Sequence, residues 1–378
     1  MVKDNGVVPR ILHTADWQLG KQYKSLGGDP DSRSDLRSER LNAVRRLGAL
    51  AVQHAVDAVL VAGDVFDMNE VSDRLLRQTL NTLAEFQVPW VLLPGNHDPA
   101  LAESVWTRIA RLGHPANVNL ATTRAPILLA GESIAVLPAP LLRRHESADP
   151  TGGFASSLTP DGVIRIGLAH GSVKNRLPVE AEVHNLISDT CAADSRLDYL
   201  ALGDWHSPYE VTVNTWYSGT PEPDGFKQQN SGQALLVEID AAGAVPRIQQ
   251  LQTGGYRWRK LTMDFRAVNG ELAALGEPYS NLVIGIRVQG SISLSERSLL
   301  DVLIKDWEAR VKLLRVNMDD LAAEPTAADF DALGHQGFTG NVVERLRAVQ
   351  RDLQHPDHAF ANGALQRLYS EHVLGNSN

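Results

Sequence analysis

Ala58-Val59-Leu60-Val61-Ala62-Gly63-Asp64-Val65-Phe66-Asp67 decides the fold class of this chain. An uncharged apolar run passes through Gly63 straight into Asp64. A short apolar run stopped by polar residues reads as a buried strand, and a carboxylate just beyond its end lies where open α/β sheets bind ligands. Four further runs repeat the pattern. They are Ile11-Leu12-His13-Thr14-Ala15 ahead of Asp16, Trp90-Val91-Leu92-Leu93-Pro94-Gly95 ahead of Asn96-His97-Asp98, Ile164-Arg165-Ile166-Gly167-Leu168-Ala169 ahead of His170, and Leu197-Asp198-Tyr199-Leu200-Ala201-Leu202-Gly203 ahead of Asp204-Trp205-His206. The five endings are predicted to converge on one site. Between them lie amphipathic stretches: Leu36 to Val56 carries Leu41, Val44, Leu47 and Leu50 at helical spacing, and Val71 to Phe86 carries Leu75, Leu76, Leu80 and Leu83. A third helix is expected near Leu101 to Leu112. Alternation of strand and helix predicts an α/β protein with two sheets, or one large sheet, flanked by helices.

A strand-terminal Asp on its own is an ordinary cap or turn former, and a lone His on an apolar run is an ordinary core residue; the conjunction carries the signal. Carboxylate and amide oxygens with imidazole nitrogens, and no thiolate, suit divalent Mn, Fe, Zn or Mg. Manganese is the first expectation. The two oxygens of Asp64 can bridge a pair of cations, so Asp64 is the expected bridging ligand. Coordination brings the pKa of water from 15.7 to roughly 7, which would provide the nucleophile. Gly63 and Gly95 are expected to leave room for an approaching phosphate. His54, His114, His145, His184, His335, His355, His358 and His372 match no motif, and His13 belongs to its strand.

Through Asp16-Trp17-Gln18, Gly63-Asp64-Val65-Phe66-Asp67, Gly95-Asn96-His97-Asp98, His170-Gly171 and Gly203-Asp204-Trp205-His206 the chain resembles the calcineurin-like metallophosphoesterases. Within them it is most similar to SbcD-type DNA nuclease subunits, on His13-Thr14-Ala15-Asp16-Trp17 and Tyr217-Ser218-Gly219-Thr220-Pro221-Glu222-Pro223. The resemblance implies a four-layer αββα sandwich. It implies that Asp16, Gln18, Asp64 and His206 surround one metal and Asp64, Asn96, His170 and Asp204 the other. It implies also that His97 meets the phosphate, as general acid to the leaving oxygen, with Asp67 expected to orient its imidazole. Two positions depart from the family pattern: Gln18 and Asp204 stand where His is usual. Asp204 keeps a ligand and hardens the site toward Mn or Mg, whereas a neutral amide at residue 18 holds a divalent ion more weakly.

After Gly254-Gly255 the pattern changes. Strands are expected over Arg257 to Phe265, Asn281 to Val288 and Lys312 to Asn317, with a helix over Ser295 to Val311. A linker follows over Glu324 to Asp331, then apolar faces over Val342 to Leu353 and Ala359 to Leu374. The expected domains are therefore 1–254, a small α/β cap over 255–323, and a linker with a helical tail over 324–378. The resemblance gives the cap a role in presenting duplex DNA, the tail a grip on an SbcC-like coiled-coil ATPase, and the two helices of the Val71 to Leu112 region a homodimer contact. No Gly-rich phosphate loop for ATP occurs, since Gly20-Lys21 lacks the upstream glycine and the following hydroxyl.

With 378 residues the chain has room for two domains. Its apolar runs fall far short of the ~20 residues of a membrane span. One cysteine, Cys191, excludes an intrachain disulfide. That and the polar start predict the cytoplasm. A net charge of -9 opposes nucleic-acid binding except through local clusters, and Arg143, Arg144, Arg257, Arg259 and Lys260 are the expected DNA contacts. The expected activity is metal-dependent DNA phosphodiester cleavage, exo- and perhaps endonucleolytic, in repair or defence. The alternatives are a phosphoesterase for small nucleotides, or a weakly catalytic scaffold in which Gln18 has loosened one metal.

Overall fold

The computed structural model describes residues 8–177, 184–226, 230–323, 337–352, 354–358, 360–361, 363–365 and 367–368. The linker expected over 324–331, Leu353 and the chain end from 371 lie outside the described residues. The chain divides into two compact units, Met1–Arg257 and Trp258–Asn378.

The first unit holds two six-stranded sheets. In one, β1 (Arg10–Thr14), β2 (Ala58–Val61), β3 (Trp90–Leu92) and β4 (Val118–Leu120) run parallel, and Thr14, Val61, Leu92 and Leu120 end in register. In the other, β5 (Ile127–Leu129), β6 (Ile134–Ala139), β7 (Ile164–His170) and β8 (Tyr199–Gly203) lie side by side, with β9 (Tyr209–Thr212) and β10 (Thr215–Tyr217) at the far edge. There β7 and β8 are parallel, with His170 opposite Gly203. The first sheet is completed by β11 (Gln233–Glu238), antiparallel to β1, and β12 (Arg247–Gln252).

Successive side chains on a strand point to opposite faces, and the burial follows that period. From the first sheet, Ile11, Leu60 and Val91 face the second sheet and pack with Ile166, Leu168 and Tyr199. Their neighbours Leu12, Val59, Val61 and Leu92 face the other way, onto Val44, Leu47, Leu76, Leu83 and Trp106. Those residues come from α1 (Pro30–Gln53), α2 (Asp73–Ala84) and α3 (Val105–Leu112). Removing the Leu60 side chain from this inter-sheet layer would cost about 2–5 kcal/mol. On the outer face of the second sheet, Leu137, Leu200, Leu202 and Tyr217 are covered by Phe154, Val173, Ile187 and Cys191. The αββα order is thus present, with the fourth layer built of loops and the single turn α4 (Cys191–Asp194).

α1 begins six residues before the expected Leu36, because Asp29 accepts hydrogen bonds from the amides of Asp31 and Ser32 and Pro30 occupies the first helical position. α3 begins later than expected, where Ser104 and Thr107 exchange side-chain and backbone bonds.

The second unit carries β13 (Arg257–Asp264), β14 (Leu282–Ile292) and β15 (Leu313–Ala323) in that sheet order, with β13 starting at the unit boundary. With α5 (Val268–Ala273) and α6 (Leu294–Arg310) they enclose Phe265, Ile284, Ile286, Leu300 and Trp307. β15 runs past the expected Asn317, since a register shift after Arg287 lets pairing continue from Gln289↔Asp320 to Ile292↔Ala323. In α7 (Gly337–Arg351) Val343 is buried while Val342, Leu346 and Val349 are half-buried. Among the described residues no helix is long and apolar enough to cross a membrane.

Candidate metal centre

The aligned carboxyl ends of β1, β2 and β3 bring Asp16, Asp64 and Asn96 to one edge of the sandwich, and β7 and β8 bring His170 and Asp204 to the same edge. Ligand atoms of Asp16, Asp64 and His170 all lie within 4.8 Å of one another, and all three residues are buried. His170 Nε2 stands 3.0 Å from Asn96 Oδ1, 3.5 Å from Asp64 Oδ1 and 3.9 Å from Asp204 Oδ1. His206 Nε2 stands 3.8 Å from Asp16 Oδ1 and 3.4 Å from Gln18 Nε2. Every residue expected as a ligand is gathered here.

Both imidazoles are held by their other nitrogen. His170 Nδ1 is 2.8 Å from the Ala62 carbonyl, and His206 Nδ1 is 3.1 Å from Oδ2 of Asp224. A carbonyl can only accept, so His170 Nδ1 carries the hydrogen and Nε2 faces the carboxylates. Asp16, Gln18, Asp64 and Asp204 all have left-handed backbone, with φ of 54°, 42°, 54° and 105°. Such residues cost about 1–3 kcal/mol each and persist only where the surroundings over-determine them. Here the clamps are Asp16 N–H to the Gly63 carbonyl at 3.1 Å, Gln18 N–H to the Asp64 carbonyl at 2.8 Å, and Asp204 N–H to Asp16 Oδ2 at 3.1 Å.

The glycines have a different task from the one expected. A Cβ at Gly63 would lie 2.3 Å from His170 Nδ1, and one at Gly95 would lie 2.1 Å from Asp64 Oδ1. The space they leave is filled by the ligands themselves.

The electrostatics call for positive charge. Burial raises Asp16 to about 6 against the pull of His206 and His170, and burial likewise raises Asp204. Burial would lower His170, but Asp64, Asp16 and Asp204 outweigh it and hold it at about 9. A buried group of carboxylates with neutral oxygen and imidazole donors fits hard divalent cations. Asp16, Gln18 and His206 lie together on one side of Asp64, and Asn96, His170 and Asp204 on the other.

His97 donates its backbone N–H to Asp64 Oδ1 at 2.9 Å and holds its ring with Nε2 4.0 Å from Asp64 Oδ2. Asp67 does contact the His97 ring, but through its backbone carbonyl, 2.9 Å from Nδ1. The partner is the expected residue but the contact is made by its backbone, so the chain path after Phe66, rather than the Asp67 side chain, meets the ring.

Arg143 and Arg144 are exposed on the loop after β6, whose Leu141 N–H reaches the Pro94 carbonyl just before Gly95 and Asn96. Arg257 closes the first unit, and Arg259 and Lys260 are exposed residues of the second. His13 is a core residue, with Nδ1 2.9 Å from the Tyr199 hydroxyl and Nε2 3.1 Å from the Leu202 carbonyl.

Several supporting residues escaped the sequence reading. Asp98 accepts from Gly95 N–H at 2.7 Å and Phe66 N–H at 3.0 Å, tying the two ligand loops together. Ser172 donates to Asp204 Oδ2 at 2.8 Å. Arg40, buried in α1, donates to the carbonyls of Asp16 and Glu222 at 2.9 and 3.2 Å. Asp98 ends the Gly95-Asn96-His97-Asp98 motif, and that position is the signal that could have found it; Arg40 and Ser172 carry no sequence mark.

Residues 9–237 match the calcineurin-like phosphoesterase family. The chain belongs to that family. Among its relatives, the SbcD subunit of the nuclease SbcCD from Rhodobacter capsulatus is 38% identical over 283 residues, covering 63% of this chain and 68% of that protein. The corresponding SbcCD nuclease subunit of Bacillus subtilis is 26% identical over 76% of this chain and 81% of its own length. The DNA double-strand break repair protein Mre11 of Sulfurisphaera tokodaii is 24% identical over 71% and 69%. In a family that uses divalent metals, the buried Asp16, Asp64 and His170 form a group that could hold such an ion.

Proposed function

We propose that this chain is the nuclease subunit of a DNA-processing assembly, a phosphodiesterase that cleaves DNA with two divalent ions, manganese first among them. The observation that carries the reading is the meeting of Asp16, Asp64, Asn96, His170, Asp204 and His206 at the aligned strand ends of two sheets. Relatives named for DNA nuclease and DNA break repair support DNA as the substrate.

Divalent ions, when bound, would polarise the phosphoryl oxygens and lower the pKa of water. Asp64 would touch both positions, and His170 and His206 would present Nε2 to them because Nδ1 is already engaged. His97 Nδ1–H is committed to the Asp67 carbonyl, so Nε2 is the atom left to deliver a proton to the leaving oxygen. The second unit as a DNA-presenting cap, α7 and the chain beyond it as the grip on an SbcC-like ATPase, and α2 with α3 as a homodimer contact belong to the same proposal. So do Arg143, Arg144, Arg257, Arg259 and Lys260 as contacts to the phosphate backbone.

The test is linear duplex DNA incubated with the protein, an SbcC-like ATPase and Mn²⁺. Cleavage is expected, with Asp64→Ala reducing it to background and His97→Ala lowering it by about 10²–10⁴-fold, the range of general acid catalysis. Hydrolysis of mononucleotide esters with no cleavage of any DNA end would overturn DNA as the substrate.

A further inference from the structure

Gln18 is buried, pinned through its own N–H to the Asp64 carbonyl, and its side-chain oxygen is engaged by an amine rather than turned to the carboxylates. Lys21 Nζ donates to Gln18 Oε1 at 2.6 Å and to Asp224 Oδ2 at 2.7 Å. Lys21 reaches this place because its own N–H closes a turn onto the Gln18 carbonyl at 3.2 Å. An ammonium can only donate, so the oxygen of Gln18 must face it and the amide NH₂ must face the other way. That NH₂, also a donor, sits 3.4 Å from His206 Nε2. The residue standing where a ligand is usual thus presents to His206 an NH₂ that cannot bind a metal, while Lys21 occupies one side of its oxygen. Asp224 meanwhile spans Lys21 and His206 Nδ1, so one carboxylate ties the ammonium to a ligand imidazole.

Nothing comparable occupies the other side among the described residues. Around His170 the neighbours are Asn96 Oδ1, Asp64 Oδ1 and Asp204 Oδ1, all oxygens, and Ser172 steadies Asp204. The two halves therefore differ in kind. One is an open set of oxygen and nitrogen donors, and the other already contains a fixed positive charge.

We propose that Lys21 is a built-in cation that makes the centre unequal: the chain holds one divalent ion tightly between Asp64, Asn96, His170 and Asp204, and binds the second, beside Asp16 and His206, only weakly. In this arrangement Lys21 is a positioning residue. It draws Gln18 out of the coordination set and, through Asp224, orients His206. The weak ion would arrive with the phosphate of the substrate, whose oxygens would make up for the missing ligand.

This inference rests on the metal reading proposed above, and the test separates the two. The full chain, stripped of metal, is titrated with Mn²⁺ alone by calorimetry, and the ions retained after desalting are counted by elemental analysis. Wild type is expected to retain one Mn²⁺ per chain. Lys21→Met, which frees Gln18 and Asp224, is expected to retain two, with the weaker dissociation constant tightened by about 10–100-fold, the range over which outer-shell partners act on metal affinity. Lys21→Met combined with Gln18→His gives a second route to the same outcome and restores the usual ligand. Wild type retaining two ions, or both variants retaining one, would overturn the proposal. Wild type retaining none would overturn the metal reading and this proposal with it. Asp64→Asn is the control that should retain none.

Discussion

A methyl group at residue 95 would sit 2.1 Å from Oδ1 of Asp64 and 2.4 Å from its amide nitrogen. Neither atom can retreat, because Asp64 is buried and lies in left-handed backbone. Gly95→Ala should therefore displace the Asp64 carboxylate and, under the proposed function, abolish Mn²⁺ retention while far-ultraviolet circular dichroism stays close to wild type. Full retention of metal would show that the loop can give way. His13 supports a different prediction. Burial lowers its pKa from 6.5 to about 3, so between those values the unfolded chain binds a proton that the folded chain refuses. That difference makes stability rise with pH from 3 to 6.5, with no further contribution above. At pH 5 the loss relative to pH 7 is about 2 kcal/mol from this residue. Urea titrations at the two pH values should show that gap shrinking by about this amount in His13→Gln; an unchanged gap would place the proton elsewhere. Of the candidate site, the residues it gathers were readable because each ends an apolar run or follows its end by two positions. Lys21 and Asp224 were not, since a lysine and an aspartate 203 positions apart announce no pairing until the fold joins them.

α1 is held at its start by Asp29, whose carboxylate takes two backbone amides ahead of the buried face of Leu36, Val44 and Leu47. Asp29→Ala should lower the urea midpoint and leave Mn²⁺ binding untouched, because the cap lies outside the loops of the candidate site. An unchanged midpoint would mean that Pro30 alone sets the helix start. Strands β1, β2, β3, β7 and β8 were legible from apolar runs with polar stops. The small edge strands were not: β9 and β10 pair through a register shift between Thr215 and Trp216, which leaves no alternating pattern to read. The extension of β15 past Asn317 was hidden for the same reason, because Asp319 and Asp320 look like a strand end until pairing with β14 is seen.

At the scale of the molecule, a net charge of -9 coexists with a sheet edge already crowded by carboxylates. Under the proposed function divalent ions would relieve that crowding only in the folded state, so they should stabilise it by mass action. Mn²⁺ at 100 times its dissociation constant is expected to add about 2.7 kcal/mol. A thermal midpoint that climbs with Mn²⁺ in wild type and stays flat in Asp64→Asn would bear this out; a midpoint indifferent to millimolar Mn²⁺ in wild type would refute it. The spacing of strand and helix left two sheets or one large sheet open, and the family resemblance pointed to the two-sheet sandwich that is found. How the second sheet would be roofed was not foreshadowed, because Phe154, Val173, Ile187 and Cys191 come from loops and one short turn whose sequence has no helical period.

The ligands are divided between the sheets, Asp16, Asp64 and Asn96 following strands of one and His170, Asp204 and His206 belonging to the other. The proposed reactivity toward phosphodiesters would consequently need strand ends from both sheets. A ribosome that has made only the loops carrying Asp16, Asp64 and Asn96 has made half of the gathered set, so under the proposed function the growing polypeptide would gain its activity only once β8 and the turn after it have docked.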